Sequence, residues 1–120
     1  MFFKYTFFDL DNTLYNYTEC HNKALFFILE GISDKLNISI DEIQDKYDLI
    51  SRSLKYELSG TASSHNKGIY IKQLLEEYNI DLGLSVLYEK SYWKMFYENL
   101  KCYDGVYDFI KWLKNNNIGV

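Results

Sequence analysis

The sequence predicts an α/β fold that is mostly helical. Three observations predict it. Residues 2–8, FFKYTFF, put Phe3, Tyr5 and Phe7 on one side and Phe2, Thr6 and Phe8 on the other. Apolar side chains on both faces fit a central parallel strand that is covered on both sides. Five later stretches carry apolar residues at helical spacing. Finally, IGV at 118–120 looks like a second strand that has only begun.

The helical stretches follow in order. Asn16 with Glu19 three residues on can cap a helix start. Leu25, Ile28, Leu29, Ile32 and Leu36 then recur on one face, which predicts a helix over 18–36. Ser39 and Glu42 repeat the capping pattern, and Ile43, Tyr47, Ile50, Leu54 and Leu58 predict a second helix ending near Gly60. SGTASSHNKG at 59–68 is a loop by composition. Ser63 or Ser64 is expected to cap a third helix carrying Ile71, Leu74, Leu75 and Tyr78. A break at 79–83 precedes a fourth helix with Leu84, Leu87, Tyr88, Met95 and Phe96. Gly105 is free to take a positive φ in the turn at 101–106. Val106, Phe109, Ile110 and Leu113 make a fifth helix, which the three asparagines at 115–117 end. The four middle helices, joined by short links, suit an antiparallel bundle.

Composition narrows the function classes. The 120 residues suit one small domain, and 48% hydrophobic with 25% charged is an ordinary globular mixture. A net charge of −4 without a basic stripe argues against nucleic acid as a partner. Apolar runs fall short of a membrane span, and Lys4 and Asp9 break the N-terminal run that a signal peptide needs. A cytoplasmic protein is expected, with Cys20 and Cys102 as free thiols.

The chemistry concentrates in FFDLDNTLY at 7–15. Asp9, Asp11 and Thr13 close an apolar segment within five residues. One reading is loop chemistry, since Asp, Asn and Thr form turns and cap helices. A calcium loop of the EF-hand type fails, because its glycine would fall on Leu14 and its bidentate glutamate on Cys20. The third reading is an active site. Ligands of open α/β folds bind beyond the carboxyl ends of strands. Two carboxylates placed there can hold Mg²⁺ and move protons, and a carboxylate can attack phosphorus.

FFDLDNTLY resembles the first motif of the haloacid dehalogenase superfamily, an apolar strand followed by Asp-x-Asp-x-Thr. The helices after it resemble that superfamily's inserted cap, and YDGVYDFIKWLKNNNIGV at 103–120 resembles the return from cap to core. The resemblance implies a Rossmannoid core, with only its first strand and the start of its second present, and an inserted α-helical bundle cap. Residues 1–16 and 101–120 would belong to the partial core, and 17–100 to the cap. It also implies roles. Asp9 would be the nucleophile and Asp11 the proton donor and later base. Mg²⁺ would be held by the Asp9 carboxylate and the Asp11 carbonyl. Thr13 would support the loop, and backbone N–H groups near Leu10 and Asp11 would cradle phosphate oxygens. An acid at Asp11 favours phosphatase over dehalogenase chemistry, because an alkoxide leaving group benefits from a proton and a halide does not.

The implied substrate is a small phosphorylated metabolite. His65, Asn66 and Lys67 are the cap residues with donors suited to it, and a helix N-terminus with solvated polar residues is the plainer reading of the same stretch. Tyr15 and Tyr17 are placed to line the cleft. His21 is expected on the surface, and Tyr92, Trp93 and Phe96 in the bundle core. The superfamily's later motifs are not found in these 120 residues. They comprise a phosphate-binding Ser or Thr, a Lys or Arg, and a second acidic pair. The chain therefore reads as the first part of a core with its cap: a fragment, a truncated product, or one piece of a split protein whose sheet a second chain could complete. Two functions follow. One is a Mg²⁺-dependent phosphohydrolase; the other is a non-catalytic helical interaction module that keeps the motif without the reaction.

Overall fold

The computed structural model describes residues 4–120. Among them lie five α-helices: α1 (Tyr17–Leu36), α2 (Ile40–Glu57), α3 (Lys67–Glu77), α4 (Ser85–Glu98) and α5 (Val106–Asn115). Short 3₁₀ turns at Ala62–His65 and Leu82–Leu84 precede α3 and α4. No helix among the described residues is long and apolar enough to cross a membrane.

Local chemistry sets the helix ends. The Asn16 side chain accepts from the Glu19 N–H at 3.0 Å and caps α1. Asn37 ends that helix in the left-handed region, at φ 54°, where its N–H satisfies the Ser33 carbonyl. Ser39 caps α2 through the Glu42 N–H at 3.3 Å. The cap of α3 differs from expectation. Asn66 supplies it, accepting from the Ile69 N–H at 3.2 Å. Ser63 and Ser64 lie in the preceding 3₁₀ turn. Asn is as good a cap as Ser, and Asn66 stands where the chain leaves extended backbone.

α1–α4 form an up-down-up-down bundle. Cys20 donates to the Asn99 carbonyl at 3.5 Å, and Gly31 faces the Tyr88 ring, so α1 and α4 run antiparallel. Lys46 reaches Glu77 at 3.4 Å, which sets α2 against α3 in the same way. Ile28, Ile32, Ile43, Ile71, Leu74 and Leu75 fill the interior with Tyr70, Tyr92 and Phe96. Full burial of each such side chain is worth about 1.5–3 kcal/mol. Both cysteines are free, with Cys20 buried.

The expected α/β architecture is not what forms. The described residues are helical, with no strand and no sheet. The part of the 2–8 segment that lies within them makes one isolated parallel bridge, Tyr5 to Gly119. Its bonds run from Thr6 N–H to the Gly119 carbonyl at 2.8 Å and from Gly119 N–H to the Lys4 carbonyl at 2.9 Å. The remainder of that expectation, Phe2 and Phe3, lies outside the described residues. The physical reason is burial: Phe7 is 92% exposed, and two short segments alone provide no covered face on which a sheet can form. These segments instead pack on α5, with Phe8 edge-on to Phe109 at 5.8 Å and Leu113 buried beneath. Gly105 begins that helix at φ 84°, as expected.

The result is an elongated molecule of 59 × 29 × 23 Å with a radius of gyration of 18.4 Å. A compact chain of this length has about 14 Å. The bundle forms one lobe and the arm made of 4–16 and 100–120 the other.

Candidate active site

The loop carrying Asp9 and Asp11 is a tight, exposed turn between the two lobes. The Leu10 carbonyl accepts from Thr13 N–H at 3.1 Å and from Leu14 N–H at 3.0 Å, which coils the chain back on itself. Asn12 takes the left-handed conformation that this coil requires, at φ 58°. Asn tolerates that region better than most residues. Its side-chain oxygen accepts from Thr18 N–H at 3.2 Å, which ties the turn to the start of α1. On the other side Tyr103 N–H donates to the Leu14 carbonyl at 2.9 Å. Anchors on both flanks hold the turn although its side chains face solvent.

Each acid is held through one oxygen. The Thr13 hydroxyl donates to Asp9 Oδ2 at 3.0 Å. The Tyr15 hydroxyl donates to Asp11 Oδ1 at 2.5 Å. Burial, then the bond to Asp11, push the Tyr15 hydroxyl well above its ordinary pKa, so it stays a donor. The second oxygen of each carboxylate has no protein partner among the described residues, nor does either acid have an ion-pair partner there. Leu10 is exposed, and its backbone N–H donates to no group among the described residues. No three His, Cys, Asp or Glu side chains converge there. Within this turn Asp9 and Asp11 each keep one carboxylate oxygen free.

The bundle's topology sets further polar groups at the same end. α1 and α3 start there, and α2 and α4 finish there. The expected substrate stretch 62–68 spans this end, and its residues have different surroundings. Asn66 is engaged as the α3 cap. His65 is exposed on the 3₁₀ turn. Lys67 is half-buried, with its Nζ 5.4 Å from the centre of the Tyr70 ring.

His21 departs from its expected surface position. It is half-buried, with Nδ1 2.7 Å from the Tyr92 hydroxyl and its ring stacked on Tyr17 at 5.7 Å. Burial, then the charges of Lys67 and Lys55, lower its pKa to about 4, so the imidazole is neutral at pH 7. Tyr92 and Phe96 are buried as expected, and Trp93 is half-buried beside them. Sequence reasoning set His21 on the surface and did not anticipate the Tyr15–Asp11 bond. The spacing of Tyr17 and His21, one helical turn apart on the first turn after the motif, was the signal for the first. Tyr15, four residues after Asp11, was the signal for the second.

A ribulose-1,5-bisphosphate 5-phosphatase of Halopiger xanaduensis is similar to this chain, 26% identical over 117 residues. The match takes in 94% of this chain and 48% of that protein, so the chain spans about half the length of the curated relative it matches. No family model matches the chain, and no solved structure does.

Proposed function

We propose that this chain carries the phosphoryl-transfer residues of a phosphohydrolase of the haloacid dehalogenase type, acting on a small phosphorylated metabolite. The observation that carries the proposal is the pair Asp9 and Asp11 on one pinned turn, each with one oxygen held by a neighbouring hydroxyl and the other free. The relative named as a phosphatase supports the reaction class over 94% of the chain.

The free Asp9 oxygen attacks phosphorus, and the bond from phosphorus to the ester oxygen breaks. Asp11, protonated, gives its proton to the departing alkoxide, which leaves as the alcohol. Asp11, now a carboxylate, takes a proton from water as that water attacks the phosphorus of the aspartyl phosphate. The phosphorus–Asp9 bond breaks, freeing inorganic phosphate and restoring both side chains. Thr13 keeps Asp9 from rotating, and Tyr15 does the same for Asp11. The Leu10 N–H is a free donor for a phosphate oxygen.

The donors fit Mg²⁺, a hard cation that binds through one or two carboxylates together with water and substrate phosphate oxygens. Asp9 would hold it through its free carboxylate oxygen and Asp11 through its backbone carbonyl, which leaves the Asp11 side chain free to carry the proton. Bound there, Mg²⁺ would screen the charge of phosphate against that of the attacking carboxylate.

The test is phosphate release from an aryl phosphate, with and without Mg²⁺. The expected result is metal-dependent release that Asp9→Asn abolishes; full activity in Asp9→Asn contradicts the mechanism. A second reading, a non-catalytic interaction module, draws on the exposed Phe7, Tyr107 and Trp112 of the arm. It expects partner binding that Asp9→Asn leaves intact.

A further inference from the structure

The two acids of the turn are held by neighbours with different attachments. Thr13, which holds Asp9, is itself exposed, and its hydroxyl bond stays within the turn. Tyr15, which holds Asp11, reaches three parts of the molecule at once. Its hydroxyl donates to Asp11 Oδ1 at 2.5 Å. Its backbone forms an antiparallel bridge with Cys102 of the arm. Its ring stands edge-on to Phe96 of α4, with the ring centres 6.2 Å apart and the planes at 87°. That is a favoured aromatic geometry. Phe96 is fixed in the bundle core at 2% exposure, where it also meets Tyr17 at 5.5 Å and Tyr92 at 6.1 Å.

Tyr15 also lies where the two lobes join. The chain enters α1 just after Tyr15 and leaves α4 through Asn99 and Lys101. A cavity of about 210 Å³ opens between these crossings, lined by Asn16, Glu19, Asn99 and Lys101 among others. Protein interiors are close-packed, so a void here leaves the bundle room to reseat on the arm. Reseating moves Phe96 relative to the turn. The Tyr15 ring lies against Phe96, so its hydroxyl follows, and the Asp11 carboxylate with it. The bond from Thr13 to Asp9 has no such link to the bundle.

We propose that Tyr15 is a positioning residue that makes the proton transfers of Asp11 depend on the seating of the bundle, while Asp9 stays set for attack at every seating. This rests on the phosphohydrolase reading of the turn. The bundle thereby governs the acid and base, and the turn alone governs the nucleophile. A carboxyl displaced by about 1 Å can lose on the order of 100-fold in rate.

The test compares leaving groups. Nitrophenyl phosphate releases an acidic phenol that departs without a proton, whereas an alkyl phosphate needs one from Asp11. Formation and decay of the phosphoryl group on Asp9 are followed in Mg²⁺ by acid quench and peptide mass spectrometry. In Tyr15→Phe, formation from nitrophenyl phosphate stays within about twofold of the unaltered chain, while formation from the alkyl phosphate falls about 100-fold. Decay, which needs Asp11 as base, slows to the same degree and is read from nitrophenyl phosphate alone. Phe96→Leu shows the same split at about tenfold, although the Tyr15 hydroxyl is still present. Thr13→Val slows formation from both substrates alike. Phe96→Met takes the place of Phe96→Leu if the latter loses its helical circular dichroism. Equal losses on both substrates in Tyr15→Phe overturn the proposal, because a merely structural residue does not sort leaving groups. Unchanged decay in Tyr15→Phe overturns it too. So does a Phe96 variant that behaves as the unaltered chain, because Asp11 is then held by the turn alone. The parent reading is tested separately by the unaltered chain: if it takes no phosphoryl group on Asp9 from nitrophenyl phosphate, both readings fall.

Discussion

The bundle and the arm contain similar side chains and treat them in opposite ways. In the bundle Tyr70, Tyr92 and Phe96 are sealed between helices, Tyr92 to 1% exposure. In the arm Phe7 is 92% exposed, Tyr107 77% and Trp112 54%. Aromatic content is therefore not what makes a core. What differs is the number of elements that can cover a face. Each bundle helix has two neighbouring helices, whereas α5 has one short segment against it, which a single bridge ties to Gly119 beyond the helix end. Stability should concentrate in the bundle, with the arm adding little.

Four substitutions would break or sharpen that contrast. The largest effect is expected in the bundle core: Leu74→Ala should cost about 3 kcal/mol in a urea unfolding curve, from lost burial plus a cavity. A loss below about 1 kcal/mol would mean that the bundle is no better packed than the arm. The next concerns His21. Its ordinary pKa of 6.5 falls to about 4 in the fold, so between those values the unfolded chain binds more protons. Stability then rises with pH across that window, is complete above about 6.5, and is lost as pH falls towards 4. The full linkage would be about 3 kcal/mol, and the half-exposure of the ring reduces it to about 1–2 kcal/mol. His21→Gln should flatten the slope. Removing the α1 cap with Asn16→Ala should cost about 1 kcal/mol. The smallest change belongs to the arm, where Trp112→Ala should stay within about 0.5 kcal/mol. A large loss there would show the arm to be a packed part of the fold.

The same contrast explains how much the sequence disclosed. Helices were legible because their signals are local. Asn16 with Glu19 and Ser39 with Glu42 cap where they stand, and the Ile28, Leu29, Ile32 stripe is buried as its spacing demands. The cap of α3 was misplaced because Ser63, Ser64 and Asn66 are all good caps, and the 3₁₀ turn that decides between them is not a periodic signal. The strand was misjudged for another reason. Alternation of Phe3, Tyr5 and Phe7 states what a segment could bury, while sheet formation depends on partners, and among the described residues Tyr5 has one bridge and Phe7 none. At the candidate site, the spacing of Asp9 and Asp11 singles out the turn, while the roles proposed for them rest on the resemblance. The contacts around them were less legible, since the Tyr15 bond to Asp11 and the His21 bond to Tyr92 depend on how the turn and the helices meet.

The central claim is that Asp9 takes a phosphoryl group. The most direct measurement is to mix the chain with an aryl phosphate and Mg²⁺, quench in acid, and map phosphorylation by peptide mass spectrometry. The account predicts a phosphoryl group on Asp9, absent from Asp9→Asn and accumulating in Asp11→Asn, where the base that activates water is missing. A phosphoryl group on another residue, or phosphate release with none on Asp9 in Asp11→Asn, would contradict it.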